Sequence, residues 1–302
     1  MEYAKKNLYK QPHVFRCVHD VHRRFQSELS PFYILNQKKC FPDGCVYFQW
    51  KCRLLAKHKM CFRGFSQVGK KCFNCRYFYE EKEHQYPELM ENGWDRSSFL
   101  EAFEEFEEWV QELKAKRVPC EGTVAAVIPD LSLKHQGGKQ QLRAYGFLIR
   151  FEEGFINNCL FEDPFYLSIS SQTQNQLLIR KDDAIEFEAN LNIDRGRFKF
   201  NRSGKFQFYQ RGEEKALRST DVLAALRTYT IQENQPEKCL RCQHGILVDR
   251  ESATPGPSRA TICLQGIADY RYCAVNVNTE NPNGNESCIN AQWGNKKCYH
   301  VL

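Results

Sequence analysis

The cysteines of this 302-residue chain are spread so unevenly that they fix its organisation before anything else is read. There are 15: seven lie between Cys17 and Cys75, six between Cys239 and Cys298, and only Cys120 and Cys159 fall in the long stretch between. Each end holds one CxxC pair, Cys72-Phe-Asn-Cys75 and Cys239-Leu-Arg-Cys242. Two sulfurs at that spacing reach one metal from a tight turn, and in a reducing compartment such thiols are metal ligands before they are disulfides. No apolar run approaches the ~18 residues of a membrane span, and MEYAKKNLYKQPHVF lacks the apolar core of a secretory signal. The expectation is a cytoplasmic protein without a membrane, of undetermined oligomeric state.

At the C-terminal end Cys239 and Cys242 are followed by Gly245, which permits the backbone of a metal knuckle, and Cys263 and Cys273 complete four thiolates. Cys288, Cys298, His244 and His300 are rival ligands. At the N-terminal end Cys72 and Cys75 pair with the tight turn Cys40-Phe-Pro-Asp-Gly-Cys45, as in a zinc ribbon. Cys52 is then a small buried hydrophobe on an apolar strand face. The rival set joins Cys52 and Cys61 to Cys72 and Cys75. Both ends suit Zn²⁺, giving two sites; an iron–sulfur cluster would use the same four thiolates. Cys120 and Cys159 are expected to pack in the core.

Periodicity places the other elements. Val14, Val18, Val21 and Phe25 predict an amphipathic helix over 12–29, with His13, Cys17 and His22 either at its core edge or forming a metal patch. Val46, Phe48, Trp50, Cys52 and Leu54 share one face of a half-buried strand. Phe99, Phe103, Phe106, Val110 and Leu113 make an unbroken stripe on a helix from about Ser98 to Lys116, its Ser98 and Glu101 matching a capping box. Its remaining glutamates are a solvated face. From Val118 to Arg211 five strand-like stretches follow, interrupted by a polar loop, LSLKHQGGKQQ, and a helical turn before Lys181-Asp182-Asp183. Residues 219–233 predict a short helix.

In strand order this central segment resembles an OB-fold, a small Greek-key barrel. The fold class is therefore α+β: an OB-like barrel flanked by two Cys-rich metal modules and a few amphipathic helices. The divisions are 1–95, N-terminal helix and metal module; 96–117, acidic linker helix; 118–212, barrel; and 213–302, short helix and second metal module.

Charge is as uneven as sulfur. Residues 1–79 carry 16 Lys and Arg against 4 Asp and Glu, whereas residues 80–112 carry 2 against 12. A basic block of that kind either attracts polyanions or is neutralised within the chain. The last barrel strand interleaves Arg195, Arg197, Lys199, Arg202, Lys205 and Arg211 with Phe198, Phe200, Phe206, Phe208 and Tyr209. Single strands bind such surfaces, bases stacking on rings while cations track phosphates; alternation also allows the rings to face the core. No GxxxxGK[ST], GxGxxG after a strand, HExxH or GxSxG occurs, so no catalytic arrangement is recognisable. The leading expectation is a metal-stabilised, non-catalytic protein binding single-stranded DNA or structured RNA. The alternatives are an iron–sulfur redox or radical enzyme component and, by similarity of module order to zinc-ribbon/OB accessories of thiolase-type enzymes, a scaffold for a protein partner.

Overall fold

The chain is mixed α+β, mostly strands with few helices, and the computed structural model describes residues 4–11, 14–19, 22, 28–90, 96–136, 139–232, 236–240, 242, 244–251 and 259–273. In the N-terminal third, β1 (Phe15–Arg16) pairs antiparallel with β2 (Glu28–Leu29). The strands β3 (Cys45–Cys52) and β4 (Phe78–Gln85) form a separate two-stranded ribbon, and β5 (Glu88–Leu89) returns to the other edge of β1. The helix expected over 12–29 is thus not formed at Phe15–Arg16. Phe15 is instead the buried centre of a three-stranded sheet, its ring 5.3 Å from Phe41 and 6.0 Å from Phe99. Long-range aromatic packing overrides the local spacing. Residues 12, 13, 20, 21 and 23–27 of that expectation lie outside the described residues.

The strand expected at 46–54 is present as β3, but its apolar face is open. Val46, Phe48 and Trp50 are 45%, 58% and 41% exposed. Among the described residues no third layer covers this two-stranded ribbon, so alternation fixes which residues share a face without supplying a partner for that face.

Helix α1 (Arg96–Lys114) buries the whole expected stripe of Phe99, Phe103, Phe106, Val110 and Leu113. It lies between the N-terminal segment and the large sheet: Phe106 is 5.0 Å from Tyr9 and 6.0 Å from Phe198, and Trp109 stacks at 5.7 Å on Phe198. Glu107, on the flank of this helix, accepts hydrogen bonds from Tyr9 and from Asn36 at 2.6 Å.

The large sheet contains β6 (Arg117–Gln136), β7 (Lys139–Phe151), a small hairpin of β8 (Gly154–Ile156) and β9 (Cys159–Phe161), β10 (Phe165–Ile169), then α2 (Ser171–Leu177), β11 (Ala184–Asp194) and β12 (Arg197–Gln210). Five of these strands close on themselves. Antiparallel pairs join β6 to β7, β7 to β10, β12 to β11 and β11 back to β6, while β10 and β12 run parallel. The interior is aromatic: Phe151, Phe165, Phe187, Phe198 and Phe200 are fully buried, with Phe151 stacked on Phe165 at 4.7 Å. The hydroxyl of Ser170 caps α2 by accepting from Thr173 N–H at 3.0 Å. The polar turn before β11 is pinned by buried Asp183, which accepts from the N–H groups of Arg180 and Gly212.

The polar loop expected at 131–141 is instead a strand extension, with Leu131–Gln136 of β6 pairing across to β7 beyond the closed ring. Leu131 and Leu133 are buried in this arm. Its other edge is covered from far along the chain. After α3 (Ser219–Ala225), β13 (Thr230–Gln232) and α4 (Glu237–Leu240), β14 (Gly245–Glu251) lies parallel to the arm, with Asp249 opposite Ser132, and β15 (Arg259–Cys263) pairs with both β14 and β13. The helix expected over 219–233 accordingly stops at Ala225, because Thr230–Gln232 is taken up as a strand by β15.

Candidate metal centres and nucleic-acid interface

Of the expected metal ligands, the C-terminal four come together. Cys239 ends up on the one-turn α4, Cys242 just after it, Cys263 at the end of β15 and Cys273 after a turn at Tyr270–Tyr272, and all four line one cavity. The CxxC closes as a turn, Cys242 N–H donating to the Cys239 carbonyl at 3.3 Å. Gly245 fits here because its backbone runs against that turn: a Cβ would fall 1.8 Å from the Cys239 carbonyl oxygen. His244 contributes its backbone N–H, directed at the Cys242 sulfur at 3.4 Å. Burial, and then the neighbouring Cys263, Cys242 and Cys273, push the Cys239 thiol up to about 11. Four such sulfurs become thiolates together only around a cation. Cys288, Cys298 and His300 lie outside the described residues.

At the N-terminal end the four expected ligands are divided. Cys72 and Cys75 share a cavity with Cys52 and Cys61, the rival set, at the tip of the β3–β4 ribbon. Cys45 starts β3 opposite Gln85, and Cys52 ends it opposite Phe78. Seven residues of strand rise, about 24 Å, separate the two ends. Cys40 and Cys45 therefore sit away from the tip, beside Cys17 and His22.

The tip repeats the geometry of the C-terminal site. Arg63 N–H points at the Cys61 sulfur at 3.4 Å, and Gly64 N–H donates to the Cys61 carbonyl at 2.9 Å, as His244 and Gly245 do around Cys242. The backbone N–H groups of Arg63 and Phe65 hold the Cys61 thiol below its usual range. The two sites share a spacing in the sequence, Cys61-Phe-Arg-Gly64 and Cys242-Gln-His-Gly245. Each end thus brings four sulfurs to the lining of one cavity, with a backbone N–H aimed at one of them. Cys120, fully buried on β6 with its thiol pushed far up by burial, and half-buried Cys159 stand outside these clusters.

Two surfaces combine cations with rings, and they differ in their counter-charges. Along β12, Arg197 pairs with Asp194, Lys199 with Asp130 at 3.2 Å, Lys205 with Glu188 at 2.7 Å and Arg211 with Asp183 at 3.3 Å. Arg195 reaches Asp249 of β14 at 2.9 Å, and Arg259 meets the same carboxylate at 3.0 Å. These contacts tie the C-terminal hairpin to the β11–β12 turn. Burial opposes the charge on Asp194, but Arg197 and Arg195 outweigh it and hold the carboxyl below the usual range; Arg259 and Arg195 do the same for Asp249. Phe198 and Phe200 are core, and Phe206 and Phe208 pack against it. Of the six β12-region cations, Arg202 is exposed with no carboxylate partner among the described residues.

The ribbon tip is the opposite case. No Asp or Glu occurs between Asp43 and Glu80, a stretch with eight Lys and Arg. Lys51 is held by Glu81 and Glu83 of β4. Arg53, Lys57, Lys59, Arg63, Lys70, Lys71 and Arg76 are all exposed and pair with no carboxylate among the described residues. Arg63 and Arg76 lie over the rings of Phe65 and Tyr77 instead. Phe62 and Phe73 are exposed among them, Phe73 edge-on to Trp50 at 4.8 Å, so the tip runs into the open Phe48–Trp50 face.

Compared with known proteins, the chain matches no family model, no curated protein and no solved structure. No helix among the described residues is long and apolar enough to cross a membrane.

Proposed function

We propose that the protein binds single-stranded nucleic acid without catalysis, and that the zinc-held tip of the β3–β4 ribbon makes the contact. The observation that carries this reading is the tip itself: seven exposed cations, no counter-charge between Asp43 and Glu80, and the exposed rings of Phe48, Trp50, Phe62 and Phe73 beside them. Unpaired cations supply phosphate neutralisation, and the rings supply sequence-tolerant stacking. Zn²⁺ on Cys52, Cys61, Cys72 and Cys75 would fix the loop that presents them, and Zn²⁺ on Cys239, Cys242, Cys263 and Cys273 would fix the C-terminal hairpin.

In this proposal the closed ring is an OB-type barrel. Its strand pairing, with the third and fifth strands parallel and the fourth closing on the first, supports that reading. The usual binding face of such a barrel is occupied here from within the chain. Leu247 and Asp249 of β14 line a pocket with Asp130, Leu148, Tyr166, Arg197 and Lys199, where Lys199 pairs with Asp130 and Arg197 with Asp194. The barrel then acts as the scaffold and the ribbon as the reader.

The test is retention of labelled single-stranded DNA and RNA by the full chain as salt is varied. If five of the seven cations meet phosphates, the plot of log K against log salt falls with a slope of about −3.5. Binding that is absent at low salt, or does not weaken with salt, contradicts the reading and favours a protein partner for the open ribbon face.

A further inference from the structure

We propose a third zinc site, made by Cys17, His22, Cys40 and Cys45 at the root of the ribbon. It is independent of the nucleic-acid reading and adds to the two four-thiol sites.

The four residues come from three separate pieces of chain in the order C-x4-H-x17-C-x4-C. Cys17 follows β1, His22 sits in a turn closed by its own N–H to the His19 carbonyl at 2.8 Å, and Cys40 and Cys45 bracket the turn that leads into β3. That last turn is closed by Gly44 N–H donating to the Cys40 carbonyl at 2.7 Å, with Gly44 at φ +84°. A left-handed residue is what brings two sulfurs five positions apart back to one point.

One donor atom each from Cys17, His22 and Cys45 lies within 4.8 Å of the others. His22 Nε2 is 3.1 Å from the Cys45 sulfur and 3.7 Å from the Cys40 sulfur. Around tetrahedral zinc, with bonds of about 2.3 Å to sulfur and 2.0 Å to nitrogen, ligand sulfur and nitrogen stand roughly 3.5 Å apart. The observed separations bracket that edge length. The orientation of the imidazole agrees. His22 is fully buried and its other nitrogen, Nδ1, is 3.2 Å from the hydroxyl of fully buried Tyr33. A ring held at Nδ1 by an outer partner presents Nε2 to a metal. Cys17 and Cys40 are nearly as buried, so these are donors gathered inside the protein rather than surface thiols that happen to meet.

Among the described residues the β3–β4 ribbon has no third layer, and a centre of three thiolates and one imidazole at its root fastens β3 to the segment after β1 and, through Tyr33, to the Phe32–Gln37 helical turn. The tip of the ribbon is thereby held at a fixed angle to the rest of the fold.

Native mass spectrometry of the full chain loaded with zinc alone tests the proposal. The expected count is three zinc ions per chain, falling to two in His22→Ala and returning to three in His22→Cys, since a thiolate can take the imidazole's place while a packing role would not restore a metal. Cobalt loading gives a second readout: the wild type carries one absorption component from a three-thiolate, one-imidazole site beside those of the four-thiolate sites, and it is missing from His22→Ala. Two zinc ions in the wild type that are both retained in His22→Ala overturn this site and leave the four-thiol sites standing, whereas none at all overturns every zinc assignment. Three ions retained in His22→Ala also overturns it. If His22→Ala does not fold, the wild-type count and the His22→Cys spectrum decide.

Discussion

The ribbon tip and strand β12 have similar local sequences and opposite surfaces. Both interleave Lys or Arg with aromatic residues. On β12 the rings of Phe198 and Phe200 point into the closed sheet, and five of the six neighbouring cations find carboxylates from Asp130, Asp183, Asp194, Glu188 and Asp249. At the tip the rings are exposed, and among the described residues the cations meet no acid. Interleaving therefore says little about binding until the positions of the acids are known. All of those carboxylates belong to other strands or turns, and Asp130 and Asp249 lie 69 and 54 residues from the cations they meet.

The difference can be broken most severely at the metal. Cys72→Ser with Cys75→Ser removes half of the tip donors, and since metal affinity is folding free energy for so small a unit, on the order of 10 kcal/mol, the tip should unfold and nucleic-acid retention should vanish. The thermal transition of the large sheet should persist. Loss of the whole fold in calorimetry would mean that the two regions are one cooperative unit.

Ring deletions separate the regions next. Phe198→Ala empties a site between α1 and the barrel and should cost about 3–5 kcal/mol in denaturant titration. Trp50→Ala, on the open ribbon face, should change stability by no more than about 0.5 kcal/mol but weaken single-strand binding by about 1–3 kcal/mol, with the salt slope unchanged. Equal stability losses for the two would mean that the Phe48–Trp50 face is covered.

Acid gives the smallest effect. Asp194 and Asp249 have folded values below the ordinary carboxylate value of about 3.9. Their contribution is therefore complete above about pH 4 and is lost as pH falls through the folded values. The Tm should drop below pH 4, and Asp249→Asn should lower the Tm at pH 6 while flattening that drop. An unaltered acid profile in Asp249→Asn would remove the Arg195–Asp249–Arg259 contact from the account.

These contrasts also mark what the sequence could carry. Helix α1 is legible because its five apolar residues recur every three or four positions and all find the core. The five strands of the closed ring are legible for the same reason at period two. The 131–136 arm is not, because only one of its edges pairs with the neighbouring β7, and the strand on its other edge, β14 against Ser132–Lys134, lies more than a hundred residues downstream. The C-terminal four sulfurs are legible from the CxxC and Gly245, and the tip shares the same Cys-x-x-Gly spacing around Cys61. The grouping of Cys40 and Cys45 with Cys17 and His22 depends on the length of β3, which carries Cys52 away from Cys45. It also depends on Phe15 entering a sheet where local spacing favours a helix.

The most direct test compares salt slopes for two triple variants on one labelled single-stranded oligonucleotide. Neutralising the tip with Lys57→Gln, Lys59→Gln and Lys70→Gln should flatten the log K against log salt slope by about 2, three phosphate contacts at roughly 0.7 each. Lys199→Gln, Arg202→Gln and Lys205→Gln on β12 should leave the slope as in the wild type. A slope that flattens for the β12 variant and not for the tip variant would place the interface on the barrel and contradict the account.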